Sequence, residues 1–368
     1  MTAVQTSALP QKNPQVAKET PTIAPRFRRN ASRHEGPVVL AVGRRDFLWM
    51  LAAILAERPG KARAQPADMP TIGFLSTRSR DESKELTAAF LAGLKTEGFT
   101  EGHNVAIKYR WAEFVYDRLP SLGSELIGER VSVIAAVGGI HSGLAAKQVT
   151  SEIPIVFVSA GDPVALNLVS SLNRPNENVT GISMITVALA PKRLELLSEV
   201  VPAPAGIAFL ANPRSPYFRQ ERDDVVAAAT KLRRALSVFT AASTTEIEAS
   251  FDSFSGRGIG ALLVSSDPFF DGERNRLVSL AARYSLPAIY QWREFATIGG
   301  LMSCGTSILD AYTQAGAYVG KILHGAKAAD LPVLQPTRIE TVINLKAAAA
   351  LGLTVPNLIL MRADEIIE

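Results

Sequence analysis

The residues able to do chemistry gather where apolar runs end. Val131, Val133, Ile134, Ala135, Ala136 and Val137 read as a strand buried on both faces, and the run breaks at Gly138 and Gly139. Ile140, His141 and Ser142 then lead into Gly143, Leu144, Ala145, Ala146 and Lys147, a helix-like segment. A helix entrance offers free amides and a positive dipole end, so an anion such as a carboxylate is a natural guest there. Ser142 stands where an N-cap hydroxyl would accept from the first turn, and His141 adds a second anion donor or a ring to stack on. An ordinary strand-to-helix turn would use the same residues. A second run, 153–158, ends in Ser159, Ala160, Gly161, Asp162 and Pro163, and a third, 259–264, ends in Ser265, Ser266, Asp267 and Pro268. Asp162 and Asp267 can accept from a ligand ammonium, or cap their own turns beside the prolines. Ser76 and Thr77 close an earlier strand, and Asn212 and Tyr290 close later ones, all polar groups suited to orienting a ligand. Phe269 and Phe270 fit a ring sandwich or, more simply, a core.

These residues need elements to hold them. Residues 71–75 read as a strand, 82–97 as a helix with Leu86, Phe90 and Leu94 in helical spacing, and Gly98 closes it. Val105, Ile107 and Tyr109 alternate as a strand, 119–129 reads as a helix, and 131 opens the central stretch. Such β–α alternation implies a parallel sheet with helices on both faces, whose polar strand ends share one edge. An Asn- and Pro-rich segment at 173–178 and a short strand at 179–184 can carry the chain to another lobe. The pattern then restarts: helix 193–200, strand 206–210, helix 223–236, strand 237–240, helix 245–254 and strand 259–264. A helix at 271–284, a strand at 287–290, a helix at 307–324 capped by Gly325, a strand at 338–344 and a short helix at 347–351 complete the reading, with 363–368 as surface. Two similar lobes facing one another make a hinged cleft suited to closing on a small ligand.

Composition bounds the function. The chain has 368 residues, 47% hydrophobic and 20% charged, which is globular composition. The net charge of +4 is unevenly placed: residues 1–64 hold 11 Lys or Arg against 4 Asp or Glu, so the remaining residues carry 28 against 31. A mildly acidic body argues against a nucleic-acid surface. Within the basic leader, Gly43, Arg44, Arg45, Asp46, Phe47 and Leu48 read as a twin-arginine export signal before an apolar segment too short to span a membrane. Lys61, Ala62, Arg63 and Ala64 supply a small-x-small cleavage site, which predicts a mature periplasmic protein starting near Gln65. Residues 1–42 read as a disordered extension or an over-long start. Cys304 stands alone, so no intramolecular disulfide forms, and His34, His103, His141 and His324 lack metal-ligand spacing. Neither metal nor cofactor is expected, and no nucleophile elbow, Walker loop or dinucleotide fingerprint is present.

From residue 70 to 368 the sequence resembles the substrate-binding proteins of ABC transporters, within them the family whose characterised members bind tryptophan or tyrosine. The resemblance rests on Ile153-Pro154-Ile155-Val156-Phe157-Val158-Ser159, Asp162-Pro163-Val164, Leu168-Val169-Ser170-Ser171-Leu172-Asn173-Arg174-Pro175 and Lys192-Arg193-Leu194-Glu195-Leu196-Leu197. Gly299-Gly300-Leu301-Met302-Ser303, Ala329-Asp330-Leu331-Pro332-Val333 and Arg362-Ala363-Asp364-Glu365 add to it. It implies a type I periplasmic binding protein fold: α/β, two Rossmann-like lobes with parallel sheets, a three-crossing hinge and a ligand between the lobes. Residues 65–182 with 302–332 would form the first lobe, and 183–301 with 333–368 the second. The chain departs from the family at Cys304, where Tyr is expected, and at Ile140-His141, where small residues or Pro are usual.

The leading function is a periplasmic solute-binding component of an ABC import system. It would capture an amino-acid-like or carboxylate ligand and hand it to an inner-membrane permease, without catalysis and without nucleic acid. A monomer suits lobe closure. A sensory binding protein docking on a receptor is an alternative, as is an enzyme on the same scaffold using His141, Asp162 and Ser265.

Overall fold

The computed structural model describes residues 69–175, 177–202 and 205–368; the leader, with its expected signal and cleavage site, lies outside them. The chain begins with β1 (Thr71–Ser76), buried from Ile72 onward, and continues through α1 (Lys84–Thr96), β2 (Ala106–Trp111), α2 (Leu119–Gly128), β3 (Val133–Val137), α3 (Ile140–Val149), β4 (Ile155–Ser159) and β5 (Val179–Ser183). The five strands form one parallel sheet in the order β2-β1-β3-β4-β5. Strands β3, β4 and β5 are buried throughout, and β3 and β4 are the near-continuous apolar runs that strands covered on both faces need. The edge strand β2 is only half-buried and exposes Lys108.

The second lobe repeats the plan. Its elements are α4 (Ala190–Val200), β6 (Gly206–Ala211), α5 (Phe218–Leu232), β7 (Leu236–Thr240), α6 (Thr244–Phe254), β8 (Ile259–Val264), α7 (Pro268–Gly272), α8 (Arg274–Arg283), β9 (Ala288–Tyr290), α9 (Arg293–Thr297) and β10 (Met302–Gly305). After α10 (Ile308–Leu323) come β11 (Glu340–Asn344), α11 (Leu345–Ala350), α12 (Asn357–Leu360) and β12 (Glu365–Ile367). Seven strands run β12-β11-β10-β9-β8-β6-β7, parallel except where β11 meets β10. The run β7-β6-β8-β9-β10 has the same order as the first sheet. Each sheet therefore has a switch point, between β1 and β3 and between β6 and β8, where open α/β folds hold ligands.

Helix α10 returns to the first lobe and packs on α1 by close backbone approach. A Cβ at Gly93 would lie 1.8 Å from the Thr313 carbonyl, and one at Gly316 would lie 2.0 Å from that of Phe90, so neither site accommodates a side chain. The crossings are tied to each other: Thr306 Oγ1 donates to the Met184 carbonyl, and the Leu334 carbonyl and amide bond to Ser183 and Gly181.

Several expectations are corrected here. Residues 302–305 belong to the second sheet, paired with both β9 and β11, so the return crossing falls after Gly305 and not before Met302. The first crossing likewise starts after Ser183, because β5 runs to that residue. The helix expected at 271–284 is two helices, α7 and α8, and the surface segment at 363–368 contains β12, which pairs with β11. These elements are set by strand pairing and turn contacts between residues distant in sequence, and their short apolar stretches carry no period of their own.

Candidate ligand-binding site

The two switch points face each other across a small cavity of about 30 Å³, lined from the first lobe by Arg78, Gly138, Gly139, Ile140, His141, Val158, Ala160 and, on α10, Ile308 and Tyr312. The opposite wall is Ser215, Tyr217, Ser266, Asp267, Pro268, Asp271 and Trp292, with Met184 at the crossing. An adjoining chamber of about 210 Å³ shares Arg78, Asp271, Trp292 and Ile308 and is rimmed by Glu82, Glu85, Arg274 and Glu294.

The glycine pair forms the entrance of α3. Gly138 and Gly139 adopt φ of +85° and +124°, and a Cβ on Gly139 would lie 2.7 Å from Pro268 Cγ on the other lobe. Glycine is needed for both the turn and the approach. The helix starts at Ile140 with Gly139 as N-cap and no side-chain cap. Ser142 is thus not the N-cap expected: it lies inside the first turn, and its hydroxyl donates to the Val137 carbonyl at 2.7 Å. The amide end of α3 is left to the cavity.

Charge is concentrated on three buried groups. Arg78 Nη2 pairs with Asp271 Oδ2 across the lobes, and Asp271 Oδ1 accepts from Gln291 Nε2 and, at 2.8 Å, from Trp292 Nε1. Asp267, 2% exposed, receives only neutral donors, all on Oδ1: Tyr116 Oη at 2.9 Å, Asn212 Nδ2 at 2.8 Å and the Phe269 amide at 3.0 Å. Burial pushes its carboxyl up to about 6 despite those donors. Arg78 Nε and Tyr312 Oη, both on cavity-lining residues, are buried without a hydrogen-bond partner.

The expected residues divide accordingly. Gly138, Gly139, Ile140, His141, Ser266 and Asp267 line the cavity. His141 is held neutral: its Nε2 faces the Arg214 carbonyl at 3.3 Å, its ring stacks on Tyr116 with centroids 4.0 Å apart, and burial pulls its pKa down to about 4. With Nε2 donating, Nδ1 is an acceptor, so of the two roles expected for His141 the anion donor is not available, and its ring is stacked on Tyr116. Ser76 Oγ accepts from the Arg78 amide, Thr77 Oγ1 donates to the Gly138 carbonyl, and Asn212 orients Asp267; these shape the walls from behind. Ser159 is taken up by a 2.9 Å hydrogen bond with Tyr217 Oη of the other lobe. Asp162 is exposed and accepts from the Val164 amide, and the Ser265 amide is spent on the Leu210 carbonyl within the second sheet. Tyr290, the last residue of its strand, points into the core, stacked on Phe295 at 4.5 Å, and it is Gln291 and Trp292, just past the strand end, that reach Asp271. Phe270 is core, as is Cys304, whose thiol burial pushes up. Of the proposed catalytic trio, only His141 lines the cavity.

Sequence reading missed Arg78, Tyr116, Ser215, Tyr217, Asp271, Trp292 and Tyr312. Arg78 and Trp292 each lie two residues beyond a strand, so extending the strand-end rule would have found them. Tyr312 follows Ile308 by one helical turn on α10, and only the return of that helix to the first lobe brings it to the cleft.

Two lobes of like topology, three crossings and a polar cavity between switch points define a solute-binding protein of the type I periplasmic class. The model of the family described as ABC transporter substrate binding protein matches residues 71–367, and the chain belongs to that family, one of binding proteins and not of enzymes. A tyrosine-binding protein of Clostridioides difficile (strain R20291) is 26% identical over 290 residues, covering 78% of this chain and 82% of the relative. Among solved structures, a conserved domain protein from Vibrio cholerae superposes with a TM-score of 0.74 at 23% identity. An ABC domain from Streptococcus pneumonia in complex with L-Trp gives 0.73 at 24%. Each alignment covers 81% of this chain and 99% of the other, and at such identities shows the fold alone.

Proposed function

We propose that this protein is the solute-binding component of an ABC import system and that its ligand is an α-amino acid. The observation that carries the ligand class is the charge count of the cavity. Arg78 neutralises Asp271, whereas Asp267 is buried among neutral donors and calls for one cation. An ammonium on Asp267 meets that need. The uncapped amide end of α3, with Arg78 Nε and Tyr312 Oη, suits the carboxylate. Val158, Met184, Ile308 and Trp292 offer an apolar surface for the side chain. The tyrosine and tryptophan named for two relatives support the same class.

Closure of the lobes on such a ligand presents a joined surface to a permease, a population shift set by tighter binding to the closed form. The basic leader with Arg44 and Arg45 supports export to the periplasm, and closure within one chain supports a monomer. Cell fractionation with and without an Arg44→Lys, Arg45→Lys pair tests the export reading.

Thermal unfolding against the standard amino acids tests the ligand class, since a ligand that binds only the native state at a hundredfold excess over Kd adds about 2.7 kcal/mol. One or a few amino acids should raise Tm, and their des-amino and carboxamide analogues should not. A des-amino acid that binds as tightly as its amino acid would overturn the assignment of Asp267.

A further inference from the structure

The largest fully buried side chain of the described residues is not in the cavity. Arg193, on α4, is 0% exposed, beside the apolar core of the second lobe. Its Nη1 donates to the Thr186 carbonyl at 3.0 Å and to the Cys304 carbonyl at 3.4 Å. Thr186 belongs to the first crossing between the lobes, and Cys304 is the penultimate residue of β10, which leads into the second. Its Nη2 donates to Ser266 Oγ at 3.0 Å and faces Glu221 Oε1 at 3.4 Å, and the same carboxylate oxygen accepts from the Ser266 amide at 3.2 Å. Ser266 lines the cavity and adjoins Asp267.

One guanidinium therefore bonds to the first crossing, to the strand that leads into the second, and to the cavity wall. Stability alone does not call for it, because a buried ion pair is often matched or bettered by apolar residues of similar volume. A planar fork with several fixed donors does what an apolar side chain cannot: it sets the relative positions of the acceptors it joins.

We propose that Arg193, held by Glu221, is a positioning residue that couples the interlobe hinge to the ligand cavity. A rotation at Thr186 and Cys304 is transmitted to Ser266 and Asp267, and occupancy of the cavity biases the hinge in return. The inference rests on the solute-capture reading for its purpose, but its geometry is testable without a ligand.

The test uses full-length protein spin-labelled at Ser121→Cys on the first lobe and Lys231→Cys on the second, both exposed, with Cys304 buried. Interlobe distance distributions are recorded by pulsed electron paramagnetic resonance. The variant is Arg193→Met with Glu221→Gln, which leaves no unpaired buried charge and keeps an acceptor for the Ser266 amide. Without ligand, the distribution should broaden or move relative to the parent, with the far-ultraviolet spectrum unchanged, and Arg193→Lys, with one ammonium in place of the fork, should fall between. A distribution identical to the parent's would overturn the coupling, as would a change confined to Tm. With L-phenylalanine, L-tyrosine and L-tryptophan as probes, any affinity shown by the parent should weaken about tenfold in the double variant. If no standard amino acid binds the parent, the solute-capture reading fails on its own, while the ligand-free distances still decide the role of Arg193.

Discussion

Replacing Arg78 by Met should cost far more in ligand affinity than in thermal stability. The guanidinium and its partner Asp271 come from opposite lobes, with side chains 5% and 6% exposed. Removing one member of such a buried pair costs about 3–5 kcal/mol, because the remaining charge stays desolvated. Gln291 and Trp292 would still donate to Asp271 but bring no charge. The penalty exists only while the lobes are closed, since opening lets water reach Asp271. At about 1.4 kcal/mol per tenfold, the closed form loses a factor of roughly a hundred to a few thousand, and so does affinity for a ligand that needs closure. Titration calorimetry with the ligand found by thermal screening measures Kd, and a melt of the unliganded protein measures stability. Adding Asp271→Asn should recover part of the lost affinity by removing the stranded charge. A Kd within threefold of the parent's for Arg78→Met would refute the reasoning. Failure of the double variant to recover would show that Arg78 acts by touching the ligand and not by pairing with Asp271.

Other consequences follow from the same geometry. Asp267, pushed up to about 6, must be ionised to hold an ammonium, so amino-acid affinity should fall as pH drops through that value; calorimetry from pH 5 to 8 should show it, and Asp267→Asn should bind weakly at every pH. Burial pushes Glu221 up to about 7, so between its unfolded value near 4.5 and about 7 the native state holds a proton the unfolded state has lost. That contribution to stability is present at low pH and lost as pH rises through the window. His141, pulled down to about 4, acts in the opposite sense only below its unfolded value of 6.5. Above pH 6.5 the His141 window is passed and most of that of Asp267, which acts in the same sense as Glu221, so urea unfolding there should show a decline that Glu221→Gln largely removes. Gly139→Ala sets a Cβ against Pro268 and forces φ of +124° on a residue that disfavours it, a strain of about 1–3 kcal/mol; it should weaken ligand binding by tenfold or more. Gly316→Val should separate α10 from α1, and a fall in Tm of less than 5 °C would contradict the close packing described.

Local pattern already determined much of this protein. Continuous apolar runs such as 133–137 and 155–159, too short for buried helices, read as strands buried on both faces, and their alternation with helical spacing points to a parallel α/β fold in two halves. The polar ends of those runs, at Gly138–His141 and at Ser266–Asp267, reach the cavity because parallel strands put all their carboxyl ends on one edge. What tertiary structure alone decided is which polar groups are free to meet a ligand. Ser142, Ser159 and Asn212 look available in sequence, yet each is already satisfied by a carbonyl, by Tyr217 or by Asp267. Arg78 and Asp271 lie 193 positions apart and become a pair only when the lobes meet, and Tyr312 reaches the cleft on a helix whose neighbours in sequence belong to the other lobe. Hydrogen bonds and ion pairs between distant residues leave no period in the chain, so they appear only when the fold has brought their partners together.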